Sequence, residues 1–463
     1  MLEYVGLTIT VAAVIVSIAV LGYGTSIDGG LRAAVCKIIG GTCDSRGRPR
    51  TDADYKPKLC ERASSQSKFG AVIKVAFFKI GDEYSFMKQE MADGSVRYTV
   101  VPANYQFGLE AGVGGGVNLG KDFKLGADLT VAGDVKVGVG DTYVFADADE
   151  AGEFEDALKT NAQRDAVEDA SWLGGPILRG VVELGDRAVG RPDVPDPKIT
   201  TTTVSTSRSA EGTLGIKLPQ DEGSWDYNTQ TGVSVKAEYG GEVAVAEDRT
   251  DPNNTKTHYS AQLNGSISGS AQVLGAGAEG GLKWTGTQRL TYGKDGLSAI
   301  TFQTTFEKGG KVQAKPGGNY KDNKGGGKAS GEEKTVETVT QTIPINTPEE
   351  RRIAEQWLRE HPYQLPTNLM KWMTGDDNVS ETQPGPGASD WDRLVYDNGQ
   401  VLKQSAENET DGWSIGAEAR LGLVLGAEVK SETSTNSTTS AEYLGAPRGG
   451  RREYVEYPEC VDS

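Results

Sequence analysis

Four cysteines and two histidines are the side chains of this 463-residue chain best suited to chemistry. Their placement limits what they can do. Cys36, Cys43 and Cys60 lie together toward the N-terminal end and Cys460 toward the other, with none in the long middle. Thiols placed this way staple a chain in an oxidising compartment. The expected pairs are Cys36–Cys43 and Cys60–Cys460, the second closing the chain end to end, although sequence alone permits three connectivities. In a reducing compartment they would be four free thiols. His258 and His361 are isolated from each other and from the cysteines, so neither a histidine metal site nor a Cys–His dyad is provided for. His361 falls where a helix ends, favoured there by the dipole, and His258 opens a strand.

Other motifs fail on inspection. Gly326-Gly327-Lys328 is followed by Ala329 where a phosphate loop needs a hydroxyl, and no apolar strand leads into it. Gly112 to Gly116 lies inside strand-like alternation, as do Gly265-Ser266 and Gly269-Ser270, which lack the strand-to-helix setting of a nucleophile elbow. Asp147-x-Asp149-x-x-Gly152 has a faint calcium-loop look, but Ala151 and Leu158 stand where oxygen ligands are required, and helix capping accounts for the aspartates better. Carboxylates are abundant enough that chance proximity is the default for any acid pair. No catalytic residue, cofactor or metal ligand is therefore expected, and the protein is expected not to be an enzyme. A net charge of −17 argues against nucleic acid as a partner.

The elements around these residues are mostly strands. Odd positions from Phe123 to Val139 are apolar or Gly while the even positions between are mainly Asp, Lys, Thr and Gly, the period of two of a half-buried strand. At about 3.4 Å per residue, the run from Asp122 to Val139 would reach on the order of 60 Å. Tyr105 to Leu119 alternates likewise and is expected to pair with it as a hairpin across Gly120-Lys121. Further strands are expected at Phe69–Ile80, Ser95–Val101, Thr200–Ser209, Thr213–Leu218, Gly232–Ala246, Tyr259–Val273, Gly280–Tyr292, Leu297–Phe306, Glu337–Ile343, Trp413–Val429 and Ser431–Ser440. Arg393–Val395 and Gln400–Gln404 read as a hairpin about Asp397-Asn398-Gly399. Two helical inserts are expected, at about Glu150 to Ser171 and from the Thr347-Pro348-Glu349-Glu350 cap to His361. The fold class is mainly β: a large antiparallel sheet or barrel of long amphipathic strands with two helical inserts, preceded by one N-terminal transmembrane helix. The expected divisions are an apolar helix at 1–24, a cysteine-bearing neck at 25–60, a first β-rich unit with its insert at 61–190, a second at 191–345, and a helix plus C-terminal hairpins at 346–463.

Val5 to Leu21 is an almost unbroken apolar run, near the length that spans a bilayer once Gly22 and Tyr23 are added. Glu3 and Tyr4 directly before it, with Val5, Leu7, Ile9, Val14, Ile15, Ile18 and Leu21 within it, resemble the mature N-terminus of Flp-type and TadE-type pilins. The resemblance covers about the first twenty-five residues. It implies a helix that anchors the subunit in a membrane or packs into a filament core, after cleavage behind a Gly upstream of the Glu; neither such a Gly nor a basic leader precedes Glu3. Arg32, Lys37, Arg46, Arg48 and Arg50 follow the run, which by charge bias alone would hold the body in the cytoplasm. The cysteines and the Thr, Ser and Gly-rich strands favour an extracytoplasmic body at the cell surface. The expected function is a membrane-anchored, surface-exposed structural or interaction protein, pilus-associated through that helix. Its partners would be membrane lipid and a second copy of itself or a surface protein. A pore-forming or membrane-inserting β-barrel is the alternative, and an unrecognised hydrolase the third reading.

Overall fold

The computed structural model describes residues 50–57, 72–80, 84–91, 93–102, 123–125, 130–131, 135–165, 195–206, 210–218, 230–235, 240–267, 282–308, 334–361, 381–408 and 433–461. After a short helix α1 (Asp52–Tyr55) come strands β1 (Val72–Ile80), β2 (Tyr84–Met91), β3 (Val96–Pro102), β4 (Phe123–Leu125), β5 (Thr130–Val131) and β6 (Val135–Phe145). Helix α2 (Ala148–Asp165) leads to β7 (Ile199–Thr206), β8 (Ala210–Lys217), β9 (Gln230–Val235), β10 (Gly240–Asp248), β11 (Lys256–Ile267), β12 (Leu282–Gly293), β13 (Gly296–Lys308) and β14 (Lys334–Pro344). Helices α3 (Pro348–Glu360) and α4 (Asp390–Asn398) precede β15 (Gln400–Asn408), β16 (Thr433–Leu444), β17 (Tyr454–Glu456) and a final 3-10 turn, Pro458–Cys460.

Thirteen of the strands form one sheet in the order β1-β2-β3-β6-β7-β10-β11-β12-β13-β14-β15-β16-β17, and every pairing is antiparallel. β1 is also paired with the first half of β16, from Lys74↔Ser437 to Phe78↔Thr433. Each strand from β1 to β16 in that order therefore has a neighbour on both edges. Neighbours in the sheet follow one another along the chain apart from inserted segments, which is how alternating runs joined by short turns fold. The remaining strands, β4, β5, β8 and β9, make a smaller sheet. Its ladders keep the register of the large one. Val131↔Ala210 stands four residues along both strands from Val135↔Thr206, and Gly212↔Val235 six along both from Gly241↔Thr206. The smaller sheet is thus a ribbon running out of β6, β7 and β10.

Two helical inserts were legible in the sequence and a third helix was not. Asp147 Oδ1 accepts from the backbone N–H groups of Asp149 and Glu150, and Glu150 reaches back to Ala146 N, so the aspartates cap α2. Thr347 and Glu350 close the expected capping box on α3, and His361 ends it with its N–H on Trp357 O. The hairpin expected about Asp397-Asn398-Gly399 is instead the end of α4. Ser389 and Asp392 form a capping box, and Trp391, Leu394 and Val395 supply a helical apolar face, so Arg393–Val395 is helix and Gly399 its C-cap. β2 carries no strong alternation and was missed. The Gly232–Ala246 run divides into β9 and β10, and the Asp122–Val139 run into β4, β5 and the start of β6, which pairs with β3 and β7. Tyr105–Leu119, Trp413–Val429 and the helix at 1–24 lie outside the described residues.

The two ends of the chain meet. Arg452 is buried and donates to the carbonyls of Gly445, Tyr396, Gly399 and Leu444, with its guanidinium 4.2 Å from the Tyr55 ring centre. Asp52 accepts from Ala446 N and Arg448, Tyr55 donates to Asp397 O, and Arg50 donates to the same carbonyl. Four carbonyls depend on one buried cation. Arg452→Met should lower the unfolding free energy by at least about 3 kcal/mol, measured by chemical denaturation. Arg448→Ala, at a largely exposed ion pair, should change it by under about 1 kcal/mol.

Candidate functional site

Side chains directly opposite across the ladders share a face, and on this sheet the two faces differ in chemistry. One row runs Thr203, Ala244, Ser260, Arg289, Thr301 from β7 to β13, and the next runs Thr201, Ala246, His258, Thr291. A third holds Glu242, Gln262, Thr287, Gln303 and Thr340. All of these are buried. The opposite face carries Val245, Tyr259, Leu290, Ile300 and Ile343 along one row.

The helices cover the apolar face. Trp391, Leu394, Val395, Ala354 and Leu358 of α3 and α4 pack with Leu290, Ile300, Phe302 and Ile343. Trp357 stacks on Trp391 at 4.5 Å between ring centres and meets Phe302 edge-on. Phe154 of α2 sits among Tyr98, Tyr143 and Phe145. Leu218, just past β8, joins the α3–α4 cluster, so the ribbon returns to this face.

The polar face is buried without a helix upon it among the described residues. Its buried apolar side chains include Ala244, Ala246, Val336 and Ala406, together with Leu402, Ala441 and Tyr443 under Tyr457 and Cys460 of the C-terminal turn. Elsewhere no described helix lies on it, and the electrostatics bear on its shape. Arg289 on β12 responds to the charge of Arg97 on β3, and Arg97 to that of Asp248 on β10. Arg97 and Arg289 are five ladders apart, about 24 Å along a flat sheet at about 4.8 Å per strand. Only curvature brings them within reach of each other.

These groups form the one concentration of buried charge among the described side chains of this face. His258 Nδ1 lies 3.1 Å from Thr291 Oγ1, and Nε2 lies 3.6 Å from Asp248 Oδ2, a long contact. Asp248 Oδ1 also accepts from Thr250 N at 2.8 Å. Burial pushes the Asp248 carboxyl up, but His258 and Thr250 outweigh it and hold it well below the ordinary carboxylate range. Burial brings the His258 imidazole down to about 4, with Asp248 opposing and Arg289 and Lys256 assisting, so the ring is neutral at pH 7. Burial, and then the Arg97 charge, lowers Arg289 to about 9. Hydroxyl pairs lie between strands elsewhere on the face: Thr99 with Thr142 at 2.9 Å, Thr305 with Thr338 at 3.2 Å, and Thr287 donating to Gln262 Oε1 at 3.1 Å. The buried oxygens Thr201 Oγ1, Ser260 Oγ and Gln303 Oε1 have no hydrogen-bond partner among the described residues.

Of the residues singled out in the sequence, Cys460 is buried and disulfide-bonded. Its partner lies outside the described residues, as do Cys36, Cys43 and Cys60. Lys56 pairs with Glu459 at 3.2 Å and Tyr457 donates to Pro57 O, which brings the chain just before Cys60 beside Cys460. Glu3, Tyr4 and the apolar residues Val5 to Leu21 also lie outside the described residues. No described helix is long and apolar enough to cross a membrane, and no group of His, Cys, Asp and Glu among the described residues is arranged to hold a metal. His258, read as merely opening a strand, is the third residue of β11 and buried in the charged cluster. Its parity with Ser260 and Gln262 was the available signal; Arg97, Asp248 and Arg289 carried none, because they come from three distant hairpins.

No protein family, curated protein or solved structure matches the chain.

Two outcomes test this geometry. Because His258 titrates near 4 in the fold and near 6.5 when unfolded, the unfolded chain binds the extra proton between those values. Stability should therefore be level above about pH 6.5 and fall by up to about 3 kcal/mol toward pH 4. Denaturation at stepped pH checks this, and His258→Gln should flatten that limb. Peptide mapping without reductant should find Cys460 joined to Cys60; a Cys36 or Cys43 linkage would reject that pairing.

Proposed function

We propose that the twelve doubly paired strands close as a β-barrel, and that the protein is a membrane-associated pore with the polar face lining an aqueous lumen. The observation that carries this reading is the distribution of polarity from β10 to β13: threonine, glutamine, serine and charged groups predominate among the buried side chains of one face, and the large apolar side chains lie on the other. A self-contained soluble barrel fills its interior with apolar side chains. A barrel with a wet interior has the opposite pattern. Buried hydroxyls and amides without protein partners are met by water.

The geometry supports closure. Followed strand by strand, the registers return to β1 displaced by about 14 residues, which for twelve strands corresponds to a tilt of about 40°, within the range of membrane barrels. All described helices longer than one turn connect strands at one end of the sheet. The N-terminal apolar run would tether the body, and the contacts of residues 50–57 with the C-terminus fix where that tether leaves it.

That same latch favours the second reading, a surface-anchored structural or interaction protein in which the barrel is a rigid spacer. Planar bilayers separate the two. Full-length protein reconstituted from detergent should give discrete conductance steps. A folded protein, verified by circular dichroism, that leaves the bilayer silent and stays monomeric beside liposomes would support the spacer and overturn the pore.

A further inference from the structure

The row that holds Glu242, Gln262, Thr287, Gln303 and Thr340 continues to Leu402 on β15 and Tyr443 on β16. Residues directly opposite across a ladder share a face, so Leu402 and Tyr443 belong to the polar face, as does Ala441 opposite Gln404 in the next row. What packs upon them is the chain's own C-terminal turn. The Tyr457 ring meets that of Tyr443 edge-on at 5.3 Å between centres, and Tyr457 and Cys460 are fully buried against Leu402 and Ala441. Leu402 is the third residue of β15 and Tyr443 the last but one of β16, so the contact lies at the end of the sheet where α3 and α4 join the strands. We propose that Tyr457–Cys460 is a strap across the helix-bearing mouth of the lumen, locked by the Cys460 disulfide, and that reduction releases it and widens the pore; this rests on the lumen reading above.

The disulfide is the covalent one of the strap's described holds. The Tyr457 N–H donates to Ala441 O at 2.9 Å, and the Tyr457 hydroxyl donates to Pro57 O at 3.1 Å. Lys56 Nζ bonds to Glu459 at 3.2 Å and lies 4.4 Å from the Tyr457 ring centre. Within the turn, the Cys460 and Val461 N–H groups donate to Tyr457 O and Pro458 O. The strand that carries the strap, β17, is three residues long. A short strand and a single turn open at low cost unless something outside them keeps them in place. A cross-link does so by removing the arrangements in which its two ends separate. Because Cys460 is buried, exchange has to await local opening of the turn. A dithiol then delivers two electrons and two protons: the protein's S–S bond breaks, two thiols form, and the reagent closes its own disulfide. With the strap swung away, the Tyr457 ring no longer narrows the mouth.

Full-length protein in planar bilayers and in detergent carries the test. Dithiothreitol should raise the conductance step of the wild type by about twofold or more, as a wider mouth requires. Cys460→Ser should show the larger step from the start and should not respond to dithiothreitol. Reduction of the wild type needs no variant to fold, so the result does not depend on Cys460→Ser. In detergent, with thiols counted by mass, reduction should speed hydrogen exchange at the Tyr457, Cys460 and Val461 amides by about tenfold or more, while Leu290 and Ile300 keep their protection. Faster exchange at the turn with unchanged conductance steps overturns the strap and leaves the pore standing. Unchanged exchange in fully reduced protein also overturns the strap, because the disulfide does not then hold it. Protection lost at Leu290 and Ile300 together with the turn makes the disulfide a general brace and overturns the strap too. Faster exchange confined to the turn, in a protein that never conducts, overturns the pore and with it the mouth.

Discussion

A sheet whose buried face is polar must satisfy that face somehow, and the rest of this molecule follows from how it does so. Hydroxyls and amides taken from water without partners are expensive, on the order of one to three kcal/mol each. Here part of the debt is met sideways. Thr99–Thr142, Thr301–Thr342 and Thr305–Thr338 link neighbouring strands, and Thr287 donates to Gln262. Threonine suits this role because its β-branched carbon fits the pleat while its hydroxyl donates or accepts as required. The oxygens that remain, Thr201, Ser260 and Gln303 among them, require solvent or a ligand. A fold held together this way draws its apolar stabilisation from the convex side.

The convex side is accordingly where the helices lie. Trp357 and Trp391 stack between α3 and α4 and press on Phe302, Ile300 and Leu290, so the largest apolar cluster among the described residues lies on the helix-covered face of the sheet. Both helices have capping boxes at their starts, which fixes their entry onto the sheet. Arg452 ties the end of α4 and the end of β16 together through four carbonyls and holds Tyr55 by stacking over its ring. The buried disulfide at Cys460 stands beside that junction. The helix-bearing end of the molecule is thus cross-braced.

Local features were legible in the sequence and relations between hairpins were not. The antiparallel β class, the α2 and α3 caps and most strands follow from period, turn residues and capping pairs, which act over a few residues. Asp397-Asn398-Gly399 misled because the same three residues serve a tight turn or a helix end; Ser389 and Asp392, eight and five residues earlier than Asp397, decided between them. β2, with Lys88, Gln89 and Glu90 in succession, lacks alternation because both its faces carry polar groups. The charged cluster was illegible for a different reason. Arg97, Asp248, His258 and Arg289 belong to four strands, and what unites them is accumulated register around a curve, a quantity no local window contains. Even so, His258, Ser260 and Gln262 at alternate positions were a polar stripe where a soluble sheet would bury apolar groups.

The ribbon of β4, β5, β8 and β9 bears on how the two faces are used. Its ladders hold the register of β6, β7 and β10. Ladder continuity preserves parity, and parity decides the face. Leu218 at the ribbon's end is buried with Leu290, Leu297 and the α3–α4 helices, so this extension is laid back on the convex apolar face. Apolar surface that would otherwise meet water is covered in this way by the molecule's own extension.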